Sequence, residues 1–114
     1  LYHNRACCFE RLGNYQAALI DWDEAVNLDP DDTGGIGLYF SRGEVNLKLH
    51  RYLDAVADFT EDIDKFVVNS LDWALLNRGT AYLALGDYNK AISDFSDAIQ
   101  SDPAESAYYY YLYI

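Results

Sequence analysis

Arg11-Leu-Gly-Asn-Tyr-Gln-Ala-Ala-Leu-Ile-Asp-Trp22 is answered further along the chain by His50-Arg-Tyr-Leu-Asp-Ala-Val-Ala-Asp-Phe59. It is answered again by Ala84-Leu-Gly-Asp-Tyr-Asn-Lys-Ala-Ile-Ser-Asp-Phe95. Tyr15, Tyr52 and Tyr88 mark the register, 37 and 36 residues apart. Self-similarity at a fixed period of 20–50 residues is the signature of a stacked-repeat architecture, in which each unit buries its apolar face against the next.

Working outward from these tyrosines, each unit divides into two amphipathic stretches. In the third unit Leu75, Gly79, Tyr82 and Leu83 recur at helical spacing. Gly86 ends that helix by taking the left-handed conformation, and Asp87 is suited to capping the next. Tyr88, Ala91, Ile92, Phe95, Ala98 and Ile99 form a second apolar face, stopped by Asp102-Pro103. Gly13-Asn14 and Asp29-Pro30 serve the first unit in the same way. Ala6, Gly43 and Gly79 on the first helices, with Ala18, Ala55 and Ala91 on the second, let the two axes approach to about 8–10 Å. Trp22, Phe59 and Phe95 are expected to fill the space between neighbouring hairpins.

This pattern resembles the tetratricopeptide repeat. The family signature reads Tyr2, Ala6, Phe9, Ala18, Trp22, Pro30 in the first unit and Leu75, Gly79, Tyr82, Ala91, Phe95, Pro103 in the third. The middle unit departs from it: Asn46 replaces the aromatic, His50 the helix-ending glycine, Asp62 a small residue and Val67 the proline. Its linkers are also longer than the usual repeat of about 34 residues allows, and Thr33-Gly-Gly-Ile-Gly37 is expected to flex. A rival reading runs the second helix of this unit on through Phe66-Val-Val. The resemblance implies an all-α superhelical stack of antiparallel helix hairpins, one array over 1–114. Its units are 1–32, 33–69 (degenerate), 70–103, and 104–114 as a fourth unit begun or a capping helix.

Composition limits what such an array does. The chain has 114 residues, 51% of them hydrophobic, enough for a core. Its net charge of -11 argues against nucleic acid and against an anionic membrane surface, and favours a partner with a basic surface. The carboxylates Asp21, Asp58 and Asp94, flanked by Asp23, Glu24, Glu61, Asp62 and Asp97, read as a solvated outer face; a basic partner along that ridge is the alternative. No stretch approaches the roughly 20 apolar residues of a membrane span. Adjacent Cys7 and Cys8 build no disulfide framework, which points to an intracellular, cytoplasmic home. With no methionine, the sequence reads as part of a larger chain or complex.

Little in the chain points to chemistry. Gly34-Gly35-Ile36-Gly37 lacks the lysine and the preceding strand of a phosphate loop. His3, Cys7 and Glu10 share one helix face and are donor types a metal accepts, but no second element joins them, so they read as a polar groove wall. No catalytic residue, cofactor or metal is expected, and the chain is read as a non-enzyme.

In the family that the repeat resembles, the first helix of each pair lines a concave face. That face places Asn4, Cys7 and Arg11, with His3 and Glu10, from the first unit; Phe40, Ser41, Glu44 and Lys48 from the second; and Trp73, Asn77 and Thr80, with Leu76 and Ala84, from the third. Asparagines pair with a peptide backbone, and aromatics anchor an apolar side chain. Some family members hold the C-terminal carboxylate of chaperones in a basic clamp here. In this sequence the clamp positions following Asn4 or Asn77 fall on Gly37 and Ser41, or on Ala107 and Tyr111, so the clamp is absent. Arg5, Arg42 and Arg78 recur beside the face, at a spacing that suits contacts between helices. The expected function is a non-catalytic scaffold holding a peptide or protein segment. The alternatives are a subunit built into a larger assembly, or a regulatory segment of an enzyme whose catalytic domain lies elsewhere.

Overall fold

The computed structural model describes residues 1–65 and 73–101. Within them lie six α-helices and no strand: α1 (Tyr2–Arg11), α2 (Tyr15–Leu28), α3 (Leu38–Lys48), α4 (Tyr52–Lys65), α5 (Trp73–Leu85) and α6 (Tyr88–Ser101). They pair as α1·α2, α3·α4 and α5·α6, and α2 packs on α3 and α4 on α5, so each hairpin rests on its neighbour. The Phe66-Val-Val continuation, the Val67 position, the Asp102-Pro103 stop, the boundaries near 69 and 103 and the 104–114 tail lie outside the described residues.

All three hairpin turns use one device. Backbone N–H groups of Asn14, Arg51 and Asp87 donate to the carbonyls of Phe9, Asn46 and Tyr82, five residues back, at 2.8, 2.8 and 2.9 Å. This closure needs a left-handed residue just before the donor. Gly13 (φ 77°) and Gly86 (φ 80°) supply it as the sequence suggests, while His50 takes φ 60° despite its side chain. The middle hairpin therefore keeps the turn without the glycine, with the His50 ring stacked on Tyr52 at 5.7 Å. Asn14 caps α2 by accepting from the Ala17 N–H at 3.2 Å, and Asp87 accepts from the Lys90 N–H at 3.4 Å.

The helix crossings explain the small residues more closely than axis separation alone. A methyl group at Gly43 would lie 2.8 Å from the Phe59 ring, and one at Gly79 would lie 2.7 Å from the Phe95 ring. The aromatic of the second helix thus lies flush on the glycine of its own hairpin. Trp22 instead joins Ala6, Ala18, Leu38, Tyr39 and Val45 in a cluster that spans the first and second hairpins. Ala55, Phe59, Ala74 and Ala81 join the second hairpin to the third. Among the described residues Phe59, Leu38, Leu76 and Val45 are the largest fully buried side chains, and each contributes about 1.5–3 kcal/mol by leaving water.

Thr33-Gly-Gly-Ile-Gly37, expected to flex, is held by two carboxylates. Asp29 accepts from the Thr33 N–H, the Thr33 hydroxyl and the Gly34 N–H at 3.0, 3.0 and 3.3 Å. Buried Asp32 accepts from the N–H groups of Ile36, Gly37 and Leu38 at 3.1, 2.8 and 3.0 Å, which satisfies donors at the start of α3. Tyr39 adds a hydroxyl bond to the Pro30 carbonyl at 2.6 Å. The glycines make this turn possible, and the aspartates fix it.

Candidate functional site

Three arginine–aspartate pairs set the electrostatics of the array. Arg5–Asp21, Arg42–Asp58 and Arg78–Asp94 are each sixteen residues apart and bonded at 2.7–2.8 Å. All three aspartates are buried. The reading of Asp21, Asp58 and Asp94 as a solvated outer face is therefore wrong. Their positions just before the aromatic point inward, where an unpaired charge would be prohibitive and a bidentate guanidinium answers it. The flanking Asp23, Glu24, Glu61 and Asp97 are exposed.

Two of these arginines also tie hairpins together, as their recurrence suggested. Arg42 donates to Asp23 of the first hairpin at 3.2 Å, and Arg78 to Thr60 of the second at 3.1 Å. The hydrogen bonds from Arg5 hold the Asp21 carboxyl below the usual range. Burial raises the Asp58 carboxyl against the downward pull of Arg42 and Asn46.

Between α3 and α5 the structure opens a cavity of about 390 Å³. Glu44 and Lys48 of α3 and Asn77 and Thr80 of α5, all expected on the concave face, line it together. Ala84 lines it as well, joined by Leu47, His50 and Tyr52, which sequence reasoning did not place there. The period was the missed signal for His50 and Tyr52: the turn that closes the middle hairpin projects into the same space. Thr80 spends its hydroxyl on the Leu76 carbonyl at 3.0 Å. Partial burial, and then the charge of Glu10, push the Glu44 carboxyl up, with Lys48 opposing.

The remaining expected site residues lie on α1, α3 and α5. Asn4, Cys7 and Arg11 are exposed on α1, and Ser41 is half-buried on α3. Phe40 is half-buried, edge-on to Phe59 at 5.7 Å, and so serves the core. Trp73 is 40% exposed at the start of α5. Leu76, placed with them by the repeat, is instead fully buried. Glu10 accepts a hydrogen bond from the Trp22 indole at 2.9 Å, which holds it against the first hairpin's core. Among the described residues no group of three or more His, Cys, Asp or Glu is arranged to hold a metal ion. No described helix is long and apolar enough to cross a membrane.

Comparison with known proteins agrees with this architecture. Models of the tetratricopeptide repeat match residues 1–32 and 73–104. A DnaJ homolog subfamily C member 7 homolog of Schizosaccharomyces pombe is 33% identical over 97 residues, 84% of this chain and 20% of that protein. The human DnaJ homolog subfamily C member 7 is 31% identical over 94 residues, 79% of this chain and 18% of that one. The chain thus spans about a fifth of the length of the curated relatives it matches. Among solved structures, the second TPR domain of human RPAP3, in complex with the HSP70 peptide SGPTIEEVD, superposes with a TM-score of 0.85. It has 26% identity and covers 97% of this chain and 88% of that one. The Arabidopsis OM64 TPR domain superposes with a TM-score of 0.84 at 23% identity, over 96% and 87% of the two chains.

Proposed function

The chain belongs to the tetratricopeptide repeat family, and from that membership we propose that it is a non-catalytic scaffold holding a peptide or protein segment in the groove between α3 and α5. The observation that carries this reading is the groove itself. One cavity brings together Glu44, Lys48, Asn77 and Thr80 from two stacked hairpins, which no single hairpin assembles alone. The Asn77 amide offers both a donor and an acceptor to an extended backbone. Leu47, Tyr52 and Ala84 offer apolar wall. The human RPAP3 domain that shares the fold is complexed with a short peptide, which supports this class of ligand.

The charge of the whole chain favours a different peptide from that one, because the groove itself sets one carboxylate, Glu44, beside one ammonium, Lys48. SGPTIEEVD is acidic, whereas Glu44 here is already raised by burial and by Glu10. A cationic side chain set near Glu44 would relieve that repulsion, and a second carboxylate would add to it. The net charge of -11 acts in the same direction at longer range. The preferred ligand is a segment carrying lysine or arginine, and the partner presents a basic surface.

Selection from a random peptide library against the full chain tests this. Enriched peptides should carry Lys or Arg, and should lose binding to Glu44→Lys and to Asn77→Ala variants whose helical circular dichroism is unchanged. Enrichment of acidic peptides, or binding that survives both substitutions, would overturn the groove assignment.

A further inference from the structure

The third hairpin shows what the second one lacks. In it the Tyr82 ring lies 5.9 Å from the Arg78 guanidinium and 5.5 Å from the Lys90 ammonium, packed on the Leu75, Leu76, Ala91 and Phe95 cluster. Shifting by one repeat puts Asn46 at the place of Tyr82, Arg42 at that of Arg78 and Asp54 at that of Lys90. At that place the structure holds a cavity of about 250 Å³, lined by Arg42, Asn46, Arg51, Asp54, Ala57 and, from the first hairpin, Leu19. It lies among α2, α3 and α4, apart from the groove between α3 and α5. Asn46 thus lines this space at the repeat position where the third hairpin carries a ring.

Hydrogen bonds brace Arg42 and Asn46 in the wall of this space, while the Arg51 and Asp54 side chains are 50% and 57% exposed. Arg42 is bonded to Asp58 at 2.7–3.1 Å and to Asp23 at 3.2 Å, and Arg51 to Asp54 at 3.0 Å. Asn46 is buried and donates to Asp58 at 2.9 Å, which fixes its amide orientation. That leaves Asn46 Oδ1 buried with no hydrogen-bond partner among the described residues. An unmet buried acceptor is costly, so an occupant that brings a donor is rewarded.

We propose that the space beside Asn46 is a second binding site, which takes a tyrosine side chain of a partner protein in place of the ring the middle hairpin lacks. A cavity of about 150 Å³ already admits a benzene ring, so this one has room for a phenol. Arg42 offers its guanidinium to the ring as Arg78 does to Tyr82. It already lies 5.6 Å from the Tyr39 ring, a contact of the same kind. The phenol hydroxyl supplies the donor that Asn46 Oδ1 lacks, with a small shift of the side chains that cover that atom. Asp23, Asp54 and Asp58 outnumber the two arginines around the cavity, which disfavours carboxylate and phosphate ligands.

The test is an amide NMR titration of the full chain with the N-acetyl amides of tyrosine, phenylalanine and leucine. Tyrosine should give saturable shifts at Arg42, Asn46 and Ala57, and bind roughly fivefold tighter than phenylalanine, the ratio for one net hydrogen bond. Leucine should leave those amides unmoved. Asn46→Tyr, which fills the cavity from within, should abolish the response, and Ala57→Leu at its edge should weaken it if the first variant folds poorly. Shifts absent at these amides, an equal response to leucine, or binding retained by both variants would overturn the proposal. Shifts there that follow protein concentration alone would also overturn it, by making a second copy of this chain the occupant.

Discussion

Replacing Arg78 by methionine removes a charge while keeping much of the aliphatic stem, and so isolates the role of one recurring ion pair. The guanidinium donates Nε to Asp94 Oδ2 and Nη2 to Asp94 Oδ1, both at 2.8 Å, and Nη1 to Thr60 at 3.1 Å. Side-chain exposures of 19% for Arg78 and 5% for Asp94 leave water little access to the carboxylate once its partner is gone. Breaking a buried pair from one side costs about 3–5 kcal/mol, because a charge is stranded. That is a large share of the roughly 5–15 kcal/mol that holds a small domain together. At about 4–8 °C per kcal/mol the melting temperature should fall by tens of degrees. Asp94→Leu alone strands the opposite charge. The double variant, Arg78→Met with Asp94→Leu, strands neither and should recover most of the loss. Urea denaturation followed by circular dichroism at 222 nm on the four proteins completes the cycle. A single variant within about 0.5 kcal/mol of the parent, or a double variant as unstable as the sum of the singles, would refute the reasoning. Arg5→Met should cost less: Asp21 is only 3% exposed beneath Arg5, but the Arg5 side chain is itself 62% exposed, so its removal opens the carboxylate to water.

Other consequences are as direct. Gly79→Ala gains about 1 kcal/mol of helix propensity but sets a methyl 2.7 Å from the Phe95 ring. A net loss of about 1 kcal/mol is expected from denaturant midpoints, and a gain would mean the crossing is not close-packed. Asp32→Ala frees three backbone N–H groups at the start of α3 and should cost about 1–2 kcal/mol, with faster hydrogen exchange at residues 36–38. The folded-state pKa of Glu44 lies above its unfolded value, so its ionised form weakens the fold at neutral pH and this penalty disappears as pH falls below the unfolded pKa. Glu44→Gln should therefore raise the melting temperature at pH 7, and the gain should shrink towards about pH 4. A gain that persists in acid would place the effect elsewhere than in the charge.

The periodic residues carried most of the fold. Glycine, alanine and aromatic positions recurring with Tyr15, Tyr52 and Tyr88 dictate helix pairs, because turn chemistry and apolar faces are local properties of a stretch of sequence. The candidate groove was legible in part: Glu44, Lys48, Asn77 and Thr80 follow from one face repeated across two units. His50 and Tyr52 enter it only because the turn between α3 and α4 folds back beside α5.

Residue spacing and turn chemistry along the chain dictate the stacked hairpins, the left-handed turn glycines Gly13 and Gly86, and the positions that require a small residue. Where the charges lie depends instead on how the helices pack. Asp21, Asp58 and Asp94 look like surface residues in a linear reading, because burial depends on what another helix brings opposite. The constant spacing of sixteen from Arg5, Arg42 and Arg78 was present in the chain, yet it becomes an ion pair only when the two helices of a hairpin close. The same holds for Asn46. One substitution among aromatics is a minor departure in the sequence. In three dimensions Asn46 lines a cavity of about 250 Å³ that also draws on the first hairpin.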